Sequence, residues 1–172
     1  MFRIDVARAL GIDFGERRIG LAIGDPTSTI AQPLPPLLRR RNRRAPVQAL
    51  VELMDAQDVD RVVVGLPLSL EGDDTKWTTD VRAFADRLAA RSGRAVYLLD
   101  ERMTSVLAER AIRSLGLPRR ERERKTRVDT AAAIVILQAF LDRSRRAGTE
   151  PLEPVGPAAT TRLHRAPAEA GE

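Results

Sequence analysis

Four acidic residues stand where the chain changes direction: Asp13 in an apolar run, the pair Asp100 and Glu101 after a second apolar run, and Asp129 before a third. An aspartate among apolar strand residues is costly to bury as an unpaired ion, so Asp13 needs donors, a cation or an opening to solvent. Oxygen-only ligands of this kind select hard cations, Mg²⁺ or Mn²⁺. A pair of such ions about 4 Å apart can hold the attacking and leaving oxygens of a phosphodiester in line. Hydrolysis of a nucleic-acid backbone is the chemistry these acids suit. Each also has a plainer use. Asp13 could end a strand in a turn, Asp129 could cap a helix, and Glu101 could pair with Arg102.

The elements that must position these acids follow from periodicity. Residues 7–13 and 18–24 are predicted as two strands joined by a turn at 14–17, with a proline-bearing edge strand at 33–38. A helix is expected over 45–54, then a β-branched strand at 62–64 ending in Gly65 and Pro67. After the loop LPLSLEGDD, Asp74 or Thr75 is placed to cap a helix that stops near Ser92 and Gly93. A buried strand at 95–99, a helix at 103–115, a charged loop at 116–125 and an apolar helix at 129–141 complete the pattern. The expectation is an α/β fold: a mixed five-stranded sheet, antiparallel in its first three strands and parallel in the later βαβ units, flanked by helices. In such sheets ligands gather at the carboxyl ends of the parallel strands, where Asp13 and the 100–101 pair lie. Side chains alternate along a strand, so Asp100 and Glu101 should not share a pocket.

Composition narrows the partners. The 172 residues suit one domain, and 43% hydrophobic residues are enough for a core. The expected division is 1–146 for that domain and 147–172 for a disordered tail rich in Ala, Pro, Gly, Thr and Glu. The absence of cysteine excludes disulfides, thiolate metal sites and a cysteine nucleophile. The opening MFRIDVARAL lacks the apolar core of a signal peptide, and the apolar stretch 131–141 is too short to span a bilayer, so a cytoplasmic protein without a membrane partner is expected. A net charge of +5 favours acidic partners, nucleic acid first. Of the 29 basic residues only Lys76 and Lys125 are lysines. They bunch at RRRNRR (39–44) and RRERERKTR (119–127), runs that more often form solvated loops than phosphate contacts.

Four segments together resemble the YqgF/RuvX family, Holliday-junction-resolvase-like proteins also regarded as nucleases that mature precursor 16S rRNA. They are GIDFGERRIGLAIGD at 11–25, VVVGLPLSLEGD at 62–73, LLDERMTSVLAE at 98–109 and KTRVDTAAAIVILQAFLD at 125–142. The resemblance implies an RNase H-like fold and a site for one or two Mg²⁺ or Mn²⁺ ions, with Asp13, Glu101 and Asp129 as catalytic and metal-binding carboxylates. It also implies that Arg18, Gly65, Arg102 and Lys125 bind substrate around them. Two departures stand out: Glu16 where relatives often have threonine or serine, and Ser69 and Glu71 where asparagine and aspartate are common.

The expected activity is metal-dependent endonucleolytic cleavage in 5′-end maturation of precursor 16S rRNA, by a monomer or a homodimer. A resolvase of four-way DNA junctions is the first alternative and would need a symmetric dimer to place two cuts. A basic RNA- or ribosome-binding protein with vestigial acids is the second. A phosphotransferase of the actin and sugar-kinase type shares a DFG-and-basic-turn start but needs two lobes. Among the remaining residues, Trp77 is expected to pack locally, and His164, in the tail, is not expected to act as a base.

Overall fold

In a computed structural model of the chain, the described residues are 8–25, 30–40, 43–104, 125–147, 152 and 154–155; side chains at 103, 125–130 and 147 are outside that set. The strands are β1 (Arg8–Phe14), β2 (Arg18–Gly24), β3 (Gln32–Leu38), β4 (Val59–Leu66), β5 (Ala95–Asp100) and β6 (Pro154–Val155). The helices are α1 (Val47–Ala56), α2 (Lys76–Ser92) and α3 (Lys125–Ala147), and a 3-10 turn at Glu101–Met103 follows β5. The sheet order is β3-β2-β1-β4-β5-β6. β1 pairs antiparallel with β2 and β2 with β3, whereas β1, β4 and β5 run parallel. This is the mixed α/β architecture that the alternation of strands and helices requires.

The sheet has six strands among the described residues, one more than expected. Val155 and Pro154 pair antiparallel with Val96 and Tyr97, so a piece of the expected tail closes the outer side of β5. A two-residue strand is too short to show alternation, and proline, lacking an N–H, is tolerated there because the position is a sheet edge. The helix expected over 103–115 and the charged loop at 116–125 fall almost wholly outside the described residues.

Alternation divides the core in two. Leu10, Ile12 and Phe14 of β1, with Val62, Val64 and Val96, meet α1 and α2 through Leu50, Met54, Val81, Phe84 and Leu88. On the other face Ala9, Val63, Tyr97 and Leu99 meet α3 through Ala133, Ile136, Leu137 and Phe140. α3 comes very close to β1 and β2. A Cβ at Gly11 would stand 2.8 Å from the Ala133 carbonyl oxygen, and one at Gly24 would stand 2.8 Å from Leu141 Cδ1. Only glycine lets this helix lie so near the sheet.

The helix α2 starts and stops as its sequence dictates. Thr75 is the N-cap: its Oγ1 accepts from the Thr78 N–H at 3.2 Å, and the Thr78 Oγ1 accepts in return from the Thr75 N–H at 3.1 Å. Gly93 ends the helix in the left-handed region at φ 66°. The fully buried Thr78 hydroxyl also donates to the Pro67 carbonyl at 2.5 Å, joining this helix start to the loop after β4.

Candidate functional site

The carboxyl ends of β1, β4 and β5 form one edge of the sheet. In the register that pairs Ile12 with Val64, the next residues, Asp13 and Gly65, lie level; Gly65 in turn pairs with Leu99, just before Asp100 and Glu101. Asp13 alternates with the buried Ile12 and so belongs to the α3 side of β1, with Ala9 and Gly11.

Glu101 reaches across β4 toward Asp13. A Cβ on Gly65 would run into Glu101 Oε1 and would also stand 2.5 Å from Ile136 Cδ1. The missing side chain at Gly65 is therefore the cradle for the Glu101 carboxylate. Its electrostatic cost is large: burial, then the nearby Asp13 charge, then Asp100, push the Glu101 carboxyl up to about 7. A half-buried carboxylate repelled by a second one is a strong site for a cation, because a divalent ion would remove the repulsion and replace the lost water. The donors are all oxygen, the set hard cations prefer. The residues present thus fit such an ion.

Asp100 takes the other direction, as strand alternation requires. The Arg102 guanidinium bonds its carboxylate, with Nη2 to Oδ2 at 2.7 Å, and holds the Asp100 carboxyl below its ordinary value. Arg102 pairs with Asp100, not with Glu101, which corrects the simpler surface pairing considered from sequence. The same guanidinium donates from Nη1 to the Leu70 carbonyl at 3.2 Å.

Asp129 does not open its helix. α3 begins at Lys125, so Asp129 lies in the second turn and not at the N-cap position expected for it. The apolar stripe from Ala131 marks where the helix meets the sheet, and the polar residues before it carried no such signal. The contacts of Gly11 and Gly24 show that α3 runs antiparallel to β1, its start toward the carboxyl end of the strand. The backbone of Asp129, one turn before Ala133, therefore lies toward the Asp13 end; its side chain and that of Lys125 are outside the described residues. Among the described residues no group of three or more His, Cys, Asp or Glu is placed to hold a metal; Asp13 and Glu101 are the converging pair.

An open cleft of about 340 Å³ lies beside Glu101, lined by Pro67, Arg102, Thr104 and Ile136 among others. Arg18, half-buried, begins β2 opposite Leu38 on the same edge of the sheet. The departures in the motifs are accommodated. Glu16 is exposed in the turn after β1, and the Ser69 hydroxyl accepts from the Asp73 N–H at 3.0 Å, a turn-closing bond of the kind asparagine also makes. Sequence reasoning missed Arg39, assigned to a solvated basic run. Its guanidinium lies 4.4 Å from the Phe14 ring centroid and 5.8 Å from that of Trp77, and Nη1 donates to the Gly15 carbonyl at 3.3 Å. Trp77 packs locally, as expected, stacked on Phe14 at 5.5 Å.

The fold is that of an RNase H-like α/β domain. The solved structure of Thermus thermophilus RuvC with a Holliday junction substrate superposes with a TM-score of 0.59 at 17% identity, covering 85% of this chain and 99% of that one. A family profile described as "RuvX: Holliday junction resolvase" matches residues 7–143. A Maridesulfovibrio salexigens protein provisionally named a pre-16S rRNA nuclease is 41% identical over 137 residues, 80% of this chain and 99% of that protein. A Koribacter versatilis protein with the same provisional name is 42% identical over 145 residues, 84% of this chain and 93% of that protein. The chain belongs to the RuvX family.

Proposed function

We propose that this protein is a divalent-metal-dependent endonuclease that hydrolyses nucleic-acid phosphodiesters, acting in the cytoplasm on the 5′ end of precursor 16S rRNA. The observation that carries the reading is the approach of Glu101, seated over the bare Gly65, to Asp13, where burial and the Asp13 charge make the ionised Glu101 carboxylate costly. The names of the relatives support precursor 16S rRNA as the substrate.

Asp13 and Glu101 would hold the ion, Mg²⁺ or Mn²⁺, with Asp129 as the third carboxylate. When bound, such an ion acidifies water and draws charge from the phosphate oxygens. The chain's own part begins with Gly65, whose bare backbone keeps the Glu101 carboxylate over β4. Asp13, on the same face, brings a second carboxylate close enough to raise the Glu101 carboxyl. Arg18, at the same edge of the sheet, and Lys125, in the first turn of α3, would meet backbone phosphates. The net charge of +5 supports attraction of the polyanion over a wide surface.

The family description favours a second reading, cleavage of four-way DNA junctions. Incubation with extended 16S precursor and with a synthetic four-way junction, each with and without Mn²⁺, separates them. We expect Mn²⁺-dependent cutting of the precursor, an intact junction, and no cutting by Asp13→Asn at unchanged fold. Cutting by Asp13→Asn at the wild-type rate would end the nuclease reading. Metal-independent RNA binding without cleavage would instead support a non-catalytic binding protein.

A further inference from the structure

One guanidinium ties the loop after β4 to the turn after β5. Arg102 Nε donates to Asp100 Oδ1 at 3.1 Å and Oδ2 at 3.0 Å, Nη2 donates to Oδ2 at 2.7 Å, and the Arg102 backbone N–H donates to Oδ1 at 3.0 Å. Its Nη1 reaches the Leu70 carbonyl at 3.2 Å, on the tip of the loop. Gly72, at φ +93°, leaves room for it: a Cβ there would stand 2.9 Å from Nη1. The loop carries its own tie between Ser69 and Asp73, with Ser69 N–H donating to the Asp73 carbonyl at 3.0 Å and the Asp73 N–H to Ser69 Oγ at 3.0 Å. Downstream, Thr104 Oγ1 donates to the Glu101 carbonyl at 2.7 Å, so the turn is closed from both sides.

Asp100 and Arg102 flank Glu101 in the chain. When the two neighbours of a residue are locked to each other, the direction of its own Cα–Cβ bond is fixed, and the loop tip is secured to the same anchor. The Nε–Nη2 edge is the part of arginine that forks onto a carboxylate or a phosphate, and here it is committed to Asp100. An arginine used this way organises the site from within.

We propose that Arg102 is a positioning residue, clamped by Asp100 and Leu70 so that Glu101 faces Asp13, and not a contact for nucleic acid. The metal-binding part of the test rests on the nuclease reading above; the exchange part does not.

The experiment compares Arg102→Ala, Arg102→Lys, Asp100→Asn and the double substitution R102A/D100N in the full chain, each first shown by a thermal melt to be folded. Three quantities are measured: Mn²⁺ affinity by electron paramagnetic resonance, hydrogen exchange at 69–73, and affinity for single-stranded RNA in EDTA. Each single substitution is expected to weaken Mn²⁺ binding about tenfold or more, as loss of a group that orients a ligand does. Exchange at 69–73 should rise in all of them, and RNA affinity without metal should stay within about twofold. Lysine should fail like alanine, because a point charge cannot form the fork. The double variant should be no worse than either single one, since both remove the same clamp. The proposal is overturned if Arg102→Ala weakens RNA binding about tenfold while Mn²⁺ affinity and exchange stay at wild-type values and Asp100→Asn is neutral. Should the wild type bind no Mn²⁺, the nuclease reading fails, and the exchange result alone decides the clamp: unchanged exchange in every variant overturns it.

Discussion

Replacing Glu101 by glutamine should make the metal-free protein more stable while removing its activity. The carboxyl is raised in the fold from 4.5 to about 7, first by burial and then by Asp13. The folded state therefore binds this proton more tightly than the unfolded chain. Its stability contribution is fully present below pH 4.5, is lost as pH rises through 7, and is flat above that. The difference of about 2.5 units corresponds to at most about 3 kcal/mol. Glu101 keeps an open side toward the cleft, so solvent screening reduces this to about 1–2 kcal/mol. Glutamine is nearly isosteric and cannot ionise, so at pH 8 Glu101→Gln should raise Tm by about 2–8 °C in EDTA. At pH 5 the gain should shrink to about a quarter of that. Added Mn²⁺ should stabilise the wild type and not the variant, because only the ionised carboxylate answers the cation. Paired thermal melts at pH 5 and pH 8, with EDTA and with Mn²⁺, are sufficient. A variant that melts below wild type at pH 8, or gains equally at both pH values, would refute the reasoning that burial and Asp13 make this carboxylate costly.

Gly65→Ala puts a methyl where Glu101 Oε1 lies and presses on Ile136, so we expect about 1–3 kcal/mol of destabilisation by denaturant melt and a loss of cleavage far beyond what that instability explains. Cleavage that survives Gly65→Ala at the wild-type rate would mean the carboxylate does not need its place over β4. Thr78→Val removes the Thr78 hydroxyl's half of the capping box and its bond to Pro67, and should cost about 1–3 kcal/mol with Mn²⁺ affinity nearly intact, read by urea melts and metal titration. Arg39→Ala removes the guanidinium from Phe14 and Trp77; a loss of about 1 kcal/mol and a shifted Trp77 fluorescence maximum are expected, against no change if the arginine were merely solvated.

Local signals were legible and distant ones were not. The β1–β2 hairpin, the parallel strands and the Thr75-to-Gly93 helix follow from alternation, a capping residue and a left-handed glycine, each written within a few neighbouring residues. The start of α3 escaped, because its first turn is polar while the apolar stripe that defines it begins only at Ala131. β6 escaped too, since its two residues depend on the open side of a strand far earlier in the chain. At the site, acid types and strand ends pointed to Asp13 and to the 100–101 pair, and alternation forecast that only one of that pair would face the cleft. That Glu101 needs Gly65 beneath it could not be seen, because the two are brought together only by the pairing of β4 with β5. Arg39 was hidden for the same reason: its partner Phe14 lies in another strand, and a run of arginines looks alike whether solvated or stacked.

Titration of Mn²⁺ into the wild type, Asp13→Asn and Glu101→Gln at pH 8, followed by electron paramagnetic resonance, tests the central claim most directly. Shared coordination predicts that the wild type binds and that either substitution weakens binding about tenfold or more. Equal affinity in all three proteins would contradict a metal site built from these two carboxylates.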